Sequence, residues 1–243
     1  MLNYDYREGS KGTLIFVHGA GGTRHKWRKL MAGLPEGYGG LALDLPGHGE
    51  SGGEAMDSVE GYARAIIDGL QQAAPVRPLI WAGHSLGGAI VQTAALIAPD
   101  MVDGLVLLGT GGRLKVLPAL LDNLQKGIFD ADNLRLAYSP ATPEDLVRAE
   151  LEQDAKTPAA VVYKDFLACD SFDILDRLEN ICQPTQLIVG DDDVFTPVKY
   201  SEALLKKLPQ ARMTIIAQAG HTAALEQPEA IIDCIKEFLD SLG

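Results

Sequence analysis

The segment Gly83-His84-Ser85-Leu86-Gly87 lies between two apolar runs of different character. Pro78-Leu79-Ile80-Trp81-Ala82 is short and reads as a buried strand, whereas Ala89 to Leu96 reads as a packed helix. A strand that turns into a helix this abruptly admits only glycine two residues either side of its apex. The serine at that apex is lifted out of the sheet. The helix that begins there offers free N–H groups and a positive partial charge, which suit an anion. Such a junction demands an α/β architecture in which a buried strand feeds directly into a helix.

The rest of the chain alternates in the same way. Thr13–Val17, Leu41–Leu45, Gly104–Gly109, Thr185–Val189 and Met213–Ala217 read as further strands. Apolar residues recur at helical spacing around Trp27 to Leu34 and over Val59–Ala74, Lys199–Leu208 and Glu229–Leu242. This alternation predicts a mostly parallel central sheet with helices on both faces. One interval, 113–180, offers no strand and is punctuated by Pro118, Pro140, Pro143 and Pro158. It reads as an all-helical insertion of roughly four helices, with Thr142-Pro143-Glu144-Asp145 as an N-cap, a first-turn proline and an acidic first turn. The expected organisation is a core in two parts, 1–112 and 181–243, separated by a helical cap over 113–180.

Composition narrows the function. A formal charge of −12 opposes nucleic acid binding, which depends on neutralising phosphates with Lys and Arg. The N-terminal Met1-Leu2-Asn3-Tyr4-Asp5-Tyr6-Arg7-Glu8 is polar and alternating, unlike a signal peptide, and no apolar stretch is long enough to span a bilayer. Cys169, Cys182 and Cys234 are odd in number and widely spaced, without a metal-ligand or disulfide pattern. Together these point to a cytoplasmic protein with no nucleic acid or membrane partner, as a monomer or small homo-oligomer.

A serine hydroxyl becomes a useful nucleophile when a base takes its proton and a third group orients that base. Five histidines are available. His18, after the first strong strand, suits a turn; His48 lies in a Gly/Pro-rich loop; His25 sits in a basic helical segment. His84 abuts Ser85, where neighbouring side chains diverge. His221, in Ala219-Gly220-His221-Thr222, follows the last strand, on the carboxyl edge where open α/β sheets bind ligands. It is the candidate base. The orienting carboxylate is expected on the same edge, where Asp191, Asp192 and Asp193 are all available and periodicity does not choose among them. The same three aspartates could also mark a cation site, a weaker reading without converging ligands elsewhere. The oxyanion of an acyl-transfer intermediate needs fixed N–H donors. The Leu86 amide and one from the His18-Gly19-Ala20-Gly21-Gly22 loop, Ala20, are the candidates.

These motifs, with Asp44-Leu45-Pro46-Gly47-His48-Gly49-Glu50-Ser51 and Gly190-Asp191-Asp192-Asp193 through Pro197, resemble the α/β-hydrolase superfamily over nearly the whole chain. The resemblance implies a sheet of seven or eight strands and a helical cap after the sixth strand of the family core. It also implies that Asp193 is the triad acid, with Ser85 and His221. The family core usually opens on an antiparallel hairpin, yet only about ten residues precede the first strong strand, which favours seven strands. Serine at position 85 sets the chain apart from the haloalkane dehalogenase and epoxide hydrolase branches, which use aspartate there.

The reading that follows is a carboxylesterase-like serine hydrolase of small to medium esters, with no cofactor and no metal. Alternatives on the same scaffold are a carbon–carbon hydrolase of ring-fission diketone acids, a thioesterase or lactonase, a peroxide-using enzyme and a ligand sensor. The carbon–carbon reading wants a cation near Ser85, for which Arg24, Arg113, Arg135, Arg148 and Arg177 are candidates. The insertion's Leu117, Leu121, Leu124, Ile128, Phe129, Leu134, Phe166 and Phe172 are candidates for an apolar lining over Ser85, although packing onto the core is the commoner role.

Overall fold

A computed structural model describes residues 1–128 and 134–242. Among these, seven strands form one sheet: β1 (Tyr4–Arg7), β2 (Gly12–Val17), β3 (Tyr38–Leu43), β4 (Leu79–His84), β5 (Gly104–Leu108), β6 (Thr185–Gly190) and β7 (Ala211–Ile216). Their spatial order is β1-β3-β2-β4-β5-β6-β7. Every neighbouring pair is parallel except β1–β3, which runs antiparallel in the register Tyr4↔Leu43 to Arg7↔Gly40. The sheet is therefore the mostly parallel, seven-stranded form expected. β1 itself falls where the sequence shows only polar alternation. It is a short edge strand, half exposed, held by backbone pairing and by Arg7 donating to the Met31 carbonyl.

Helices among the described residues include α1 (Arg28–Ala32), α2 (Val59–Ala73), α3 (Leu86–Ile97), α4 (Pro118–Gln125), α5 (Glu144–Asp154), α6 (Ala159–Ser171), α7 (Val198–Lys207), α8 (Ala223–Glu226) and α9 (Pro228–Asp240). Successive side chains of a strand point to opposite faces, and β2 divides accordingly. Ile15 and Val17 pack with Tyr62 and Ile66 of α2 and Ile90 of α3, while Leu14 and Phe16 pack with Trp27 and with Ile231, Ile235 and Phe238 of α9. Two apolar cores thus cover the sheet, which explains why its central strands are buried along their length.

Among the described residues no strand lies between β5 and β6, where α4, α5 and α6 are inserted. The two ends of the insertion meet at a bridge between Arg113 and Asp173. α5 starts one residue later than the sequence suggests, because Pro143 (φ −56°, ψ 133°) precedes it rather than occupying its first turn. Thr142 makes no cap bond; its hydroxyl donates to Glu226 instead. No helix among the described residues is long and apolar enough to cross a membrane.

Candidate active site

Ser85 occupies the turn between β4 and α3 with φ 53° and ψ −116°, a conformation costing a non-glycine residue about 1–3 kcal/mol. The surroundings hold it there. Its N–H donates to the Leu108 carbonyl at 3.0 Å, and its carbonyl accepts the Thr110 hydroxyl at 2.8 Å. A Cβ on Gly83 would collide with the Gly87 carbonyl, and one on Gly87 with the Val17 carbonyl. Glycine at both positions is what lets strand, turn and helix close so tightly.

His221 sits in the loop between β7 and α8, and its Nδ1 lies 2.9 Å from Asp193 Oδ2. Asp193, in the loop after β6, also accepts the Phe195 and Thr196 amides on Oδ1 and the Thr196 hydroxyl on Oδ2. Burial opposes its ionisation, but His221 and the Thr196 donors outweigh that and hold the carboxyl down to about 2. An ionised Asp193 accepts Nδ1–H, which leaves the Nε2 lone pair of a neutral His221 unused. The His221 backbone is fixed at both ends, its N–H donating to Ala137 and its carbonyl accepting Nε2–H of His84 at 2.8 Å. Burial, and then His221 itself, push His84 down to about 3, so it stays neutral in that role. The neighbouring aspartates diverge: Asp192 accepts the Ser139 hydroxyl and Asp191 the Ala219 amide. No cluster of metal-ligating side chains occurs among the described residues.

The loop His18 to Gly22 lies against the serine; a Cβ on Gly19 would come within 3.2 Å of Ser85 Cβ. His18 shapes this loop. Its Nε2 accepts the Leu45 amide at 3.0 Å, so its Nδ1–H donates to the Gly19 carbonyl at 2.8 Å. Burial, and then His48, hold His18 down to about 4, which keeps it neutral. Ala20 faces the same cavity as Ser85, and Leu86 is the first residue of α3.

That cavity encloses about 640 Å³ and is lined by Ser85, His221 and side chains of the insertion. Of the eight apolar candidates, Leu117, Ile128, Leu134 and Phe166 line it. Leu121, Leu124 and Phe172 are outside the lining, the last two buried in packing, and Phe129 lies outside the described residues. None of the five candidate arginines lines it. Arg24 is bound to Asp44, Asp5 and Glu50, while Arg113 pairs with Asp173 and Arg135 with Glu144. Among the described residues, the lysines at the cavity wall are Lys26, paired with Glu150 and Asp154, and Lys115, whose Nζ donates to the Asp170 carbonyl.

His48 has a role that its loop does not reveal. Both ring nitrogens face acceptors, Nδ1 the Pro46 carbonyl at 3.1 Å and Nε2 the Asp165 carboxylate at 2.8 Å. Two acceptors call for two N–H donors, hence an imidazolium. Burial opposes that charge, but the hydrogen bond and the charge of Asp165 raise the His48 pKa above its ordinary 6.5. Tyr62, His18 and Asp44 are the other titratable groups around it. A raised folded-state value stabilises the fold fully below about pH 6.5, and that contribution is lost as pH rises through the raised value. The stability difference between wild type and His48→Asn in urea unfolding should therefore be largest at pH 6 and shrink at alkaline pH. A difference independent of pH would contradict the charged state.

The α/β hydrolase fold family model matches residues 12–228, and the chain belongs to that family. It is 28% identical over 250 residues to a pimeloyl-acyl-carrier-protein methyl ester esterase of Photobacterium profundum, covering 96% of each chain. Among solved structures it is similar to a thermophilic esterase, at 30% identity and TM-score 0.85 over all of this chain and 99% of that one. It is also similar to a lipase-esterase related protein from Clostridium acetobutylicum ATCC 824, at 28% identity and TM-score 0.84 over 98% and 99% of the two chains. The protein is an esterase-like α/β hydrolase.

Proposed function

We propose that the protein is a serine carboxylesterase acting on small to medium esters with an apolar acyl group. The observation that carries this reading is the meeting, at one largely apolar cavity, of a serine held at φ 53° and a histidine bonded to a buried carboxylate. Ser85 Oγ attacks the ester carbonyl while His221 Nε2 takes its proton. Asp193 holds the imidazole tautomer and stabilises the imidazolium that forms. The negative charge that develops on the carbonyl oxygen is met by the Ala20 and Leu86 N–H groups. His221 then gives the proton to the departing alkoxide, and a water, deprotonated by the same nitrogen, releases the acid from Ser85.

Relatives whose names describe methyl ester esterases support a small alcohol and a larger acyl part. The cavity volume falls within the range of small-molecule sites. A carbon–carbon hydrolase would want an uncommitted cation beside Ser85, whereas of the two lysines at the wall Lys26 is held by two carboxylates and Lys115 by the carbonyl and carboxylate of Asp170. Cysteine chemistry, cofactors and metals have no part in the steps above.

Turnover of a p-nitrophenyl ester series from acetate to palmitate tests this. Multiple turnover should be greatest for the short and medium chains and fall off at palmitate. Activity that climbs steadily into long, emulsified triglycerides would make the protein a lipase, and absence of turnover across the series would overturn the ester reading.

A further inference from the structure

Asp165 is completely buried on α6 of the insertion, yet it touches three separate parts of the core. Its Oδ2 accepts the Gly21 amide at 2.8 Å and His48 Nε2–H at 2.8 Å, and its Oδ1 accepts the Tyr62 hydroxyl at 2.6 Å. Tyr62 in turn accepts the Met56 amide. His48 and Tyr62 are as inaccessible as the carboxylate. Gly21 is gripped a second time from the insertion, its carbonyl accepting the Thr157 hydroxyl at 2.8 Å. The residue immediately before it is Ala20.

A buried ion pair adds little to stability on its own, since apolar side chains of similar volume usually serve as well or better. What a carboxylate can do that a leucine cannot is fix an amide in direction. The Gly21 N–H belongs to the peptide that joins Ala20 to Gly21, so its orientation constrains the Ala20 backbone. Gly21, at φ 68°, has none of the steric restriction that would otherwise pin this turn.

We infer that Asp165 is a positioning residue for the oxyanion loop: clamped between His48 and Tyr62, it holds the Gly21 amide and so sets where the Ala20 N–H points. This rests on the proposed role of Ala20 in the esterase reading. The insertion is then part of the catalytic framework as well as a roof over the cavity. Removing one oxyanion donor outright costs about 10²–10³ in kcat, and a misplacement of an ångström can cost about 10²-fold. Loosening the loop belongs somewhat below those figures.

Asp165→Ala and Asp165→Asn separate the hydrogen bond from mere filling of space. Asn keeps an oxygen for the Gly21 and His48 donors and can turn its NH₂ toward the Tyr62 hydroxyl. Asp165→Ala should lower kcat for p-nitrophenyl butyrate by about 10- to 100-fold with KM within about threefold, rates being taken per titratable Ser85. Asp165→Asn should recover most of that loss. Tyr62→Phe, which strips a donor from the other oxygen but leaves Gly21 its acceptor, should lower Tm and cost far less kcat than Asp165→Ala. In the same proteins, amide hydrogen exchange of peptides covering residues 18–22 should quicken in Asp165→Ala and stay near wild type in Asp165→Asn.

A kcat for Asp165→Ala within about threefold of wild type, or a rise in KM at unchanged kcat, overturns the inference. If the Ala variant does not fold, Asp165→Asn and Tyr62→Phe decide it: equal kcat losses in both, tracking Tm, would show a structural effect only. Should wild type turn over no ester, the esterase reading fails by itself. The exchange data then decide the clamp, and unchanged exchange of residues 18–22 in Asp165→Ala would dismiss it.

Discussion

Ser85→Ala should leave the fold intact and lower kcat/KM for p-nitrophenyl butyrate by about 10⁶. The fold survives because alanine tolerates φ 53° no worse than serine does, and the bonds that hold the turn are made by the Ser85 backbone. Tm is expected within a few degrees of wild type. The activity goes because the proposed chemistry requires an acyl group to pass through the Ser85 oxygen. A small residue, about 10³-fold over water, should persist from binding and from the Ala20 and Leu86 amides. Mass spectrometry after a fluorophosphonate should find one adduct on Ser85 in wild type and none in the variant. Retention of more than a tenth of the wild-type rate in pure Ser85→Ala would mean that another group does the chemistry, with His221 activating water as the first suspect.

The strands and the elbow are legible because parallel strands buried on both faces must be apolar along their length, and because glycines forced by backbone collisions leave a spacing in the sequence. Gly83 and Gly87 are such positions. β1 is not legible: an edge strand facing water on one side carries Tyr4, Asp5, Tyr6 and Arg7, and its pairing with β3 is a matter of backbone hydrogen bonds. Periodicity does not sort the three consecutive aspartates, and in the sequence only the family resemblance points to Asp193. The turn after β6 separates them physically, directing Asp193 toward His221 and Asp192 toward Ser139. The arginines fail as pocket cations for a similar reason, since the partners that hold Arg24 and Arg113 lie far along the chain.

Asp165 leaves only a faint mark in the sequence. In Ala159–Ser171 the buried stripe is Val162, Asp165, Ala168 and Cys169. A carboxylate on an apolar stripe is either a fault or a bond to something across the interface. What lies across, the Gly21 amide some 144 residues earlier, no periodicity can supply. Glu226 behaves alike. It accepts Gly220 and Thr222 on one oxygen and Ser139 and Thr142 of the insertion on the other, tying the His221 loop to the same roof. Both loops flanking Ser85 are thus anchored to the insertion through buried or half-buried carboxylates, a property of the assembled fold and of no single segment.

Asp193→Asn should cost about 10⁴ in kcat with little change in KM. The amide can replace the carboxylate in shape and still accept the Phe195 and Thr196 amides through its oxygen. Its NH₂ then faces His221 Nδ1, which must become an acceptor, and the ring proton moves to Nε2. A histidine protonated on Nε2 has no lone pair with which to take the Ser85 proton. The loss is therefore one of tautomer rather than of structure. Stability should respond separately, and its sign follows from linkage. A carboxyl held at about 2 in the fold stabilises it above the unfolded value near 3.8, on the order of 2 kcal/mol, and that contribution is lost as pH falls through about 2. Wild type should accordingly exceed Asp193→Asn in unfolding free energy at pH 7, the gap closing between about pH 4 and 2. Because Asp193 stays ionised throughout that upper range, any fall in activity between pH 7 and 5 belongs to another group. A variant with the wild-type rate would remove Asp193 from the mechanism and leave its bond to His221 as a matter of folding alone.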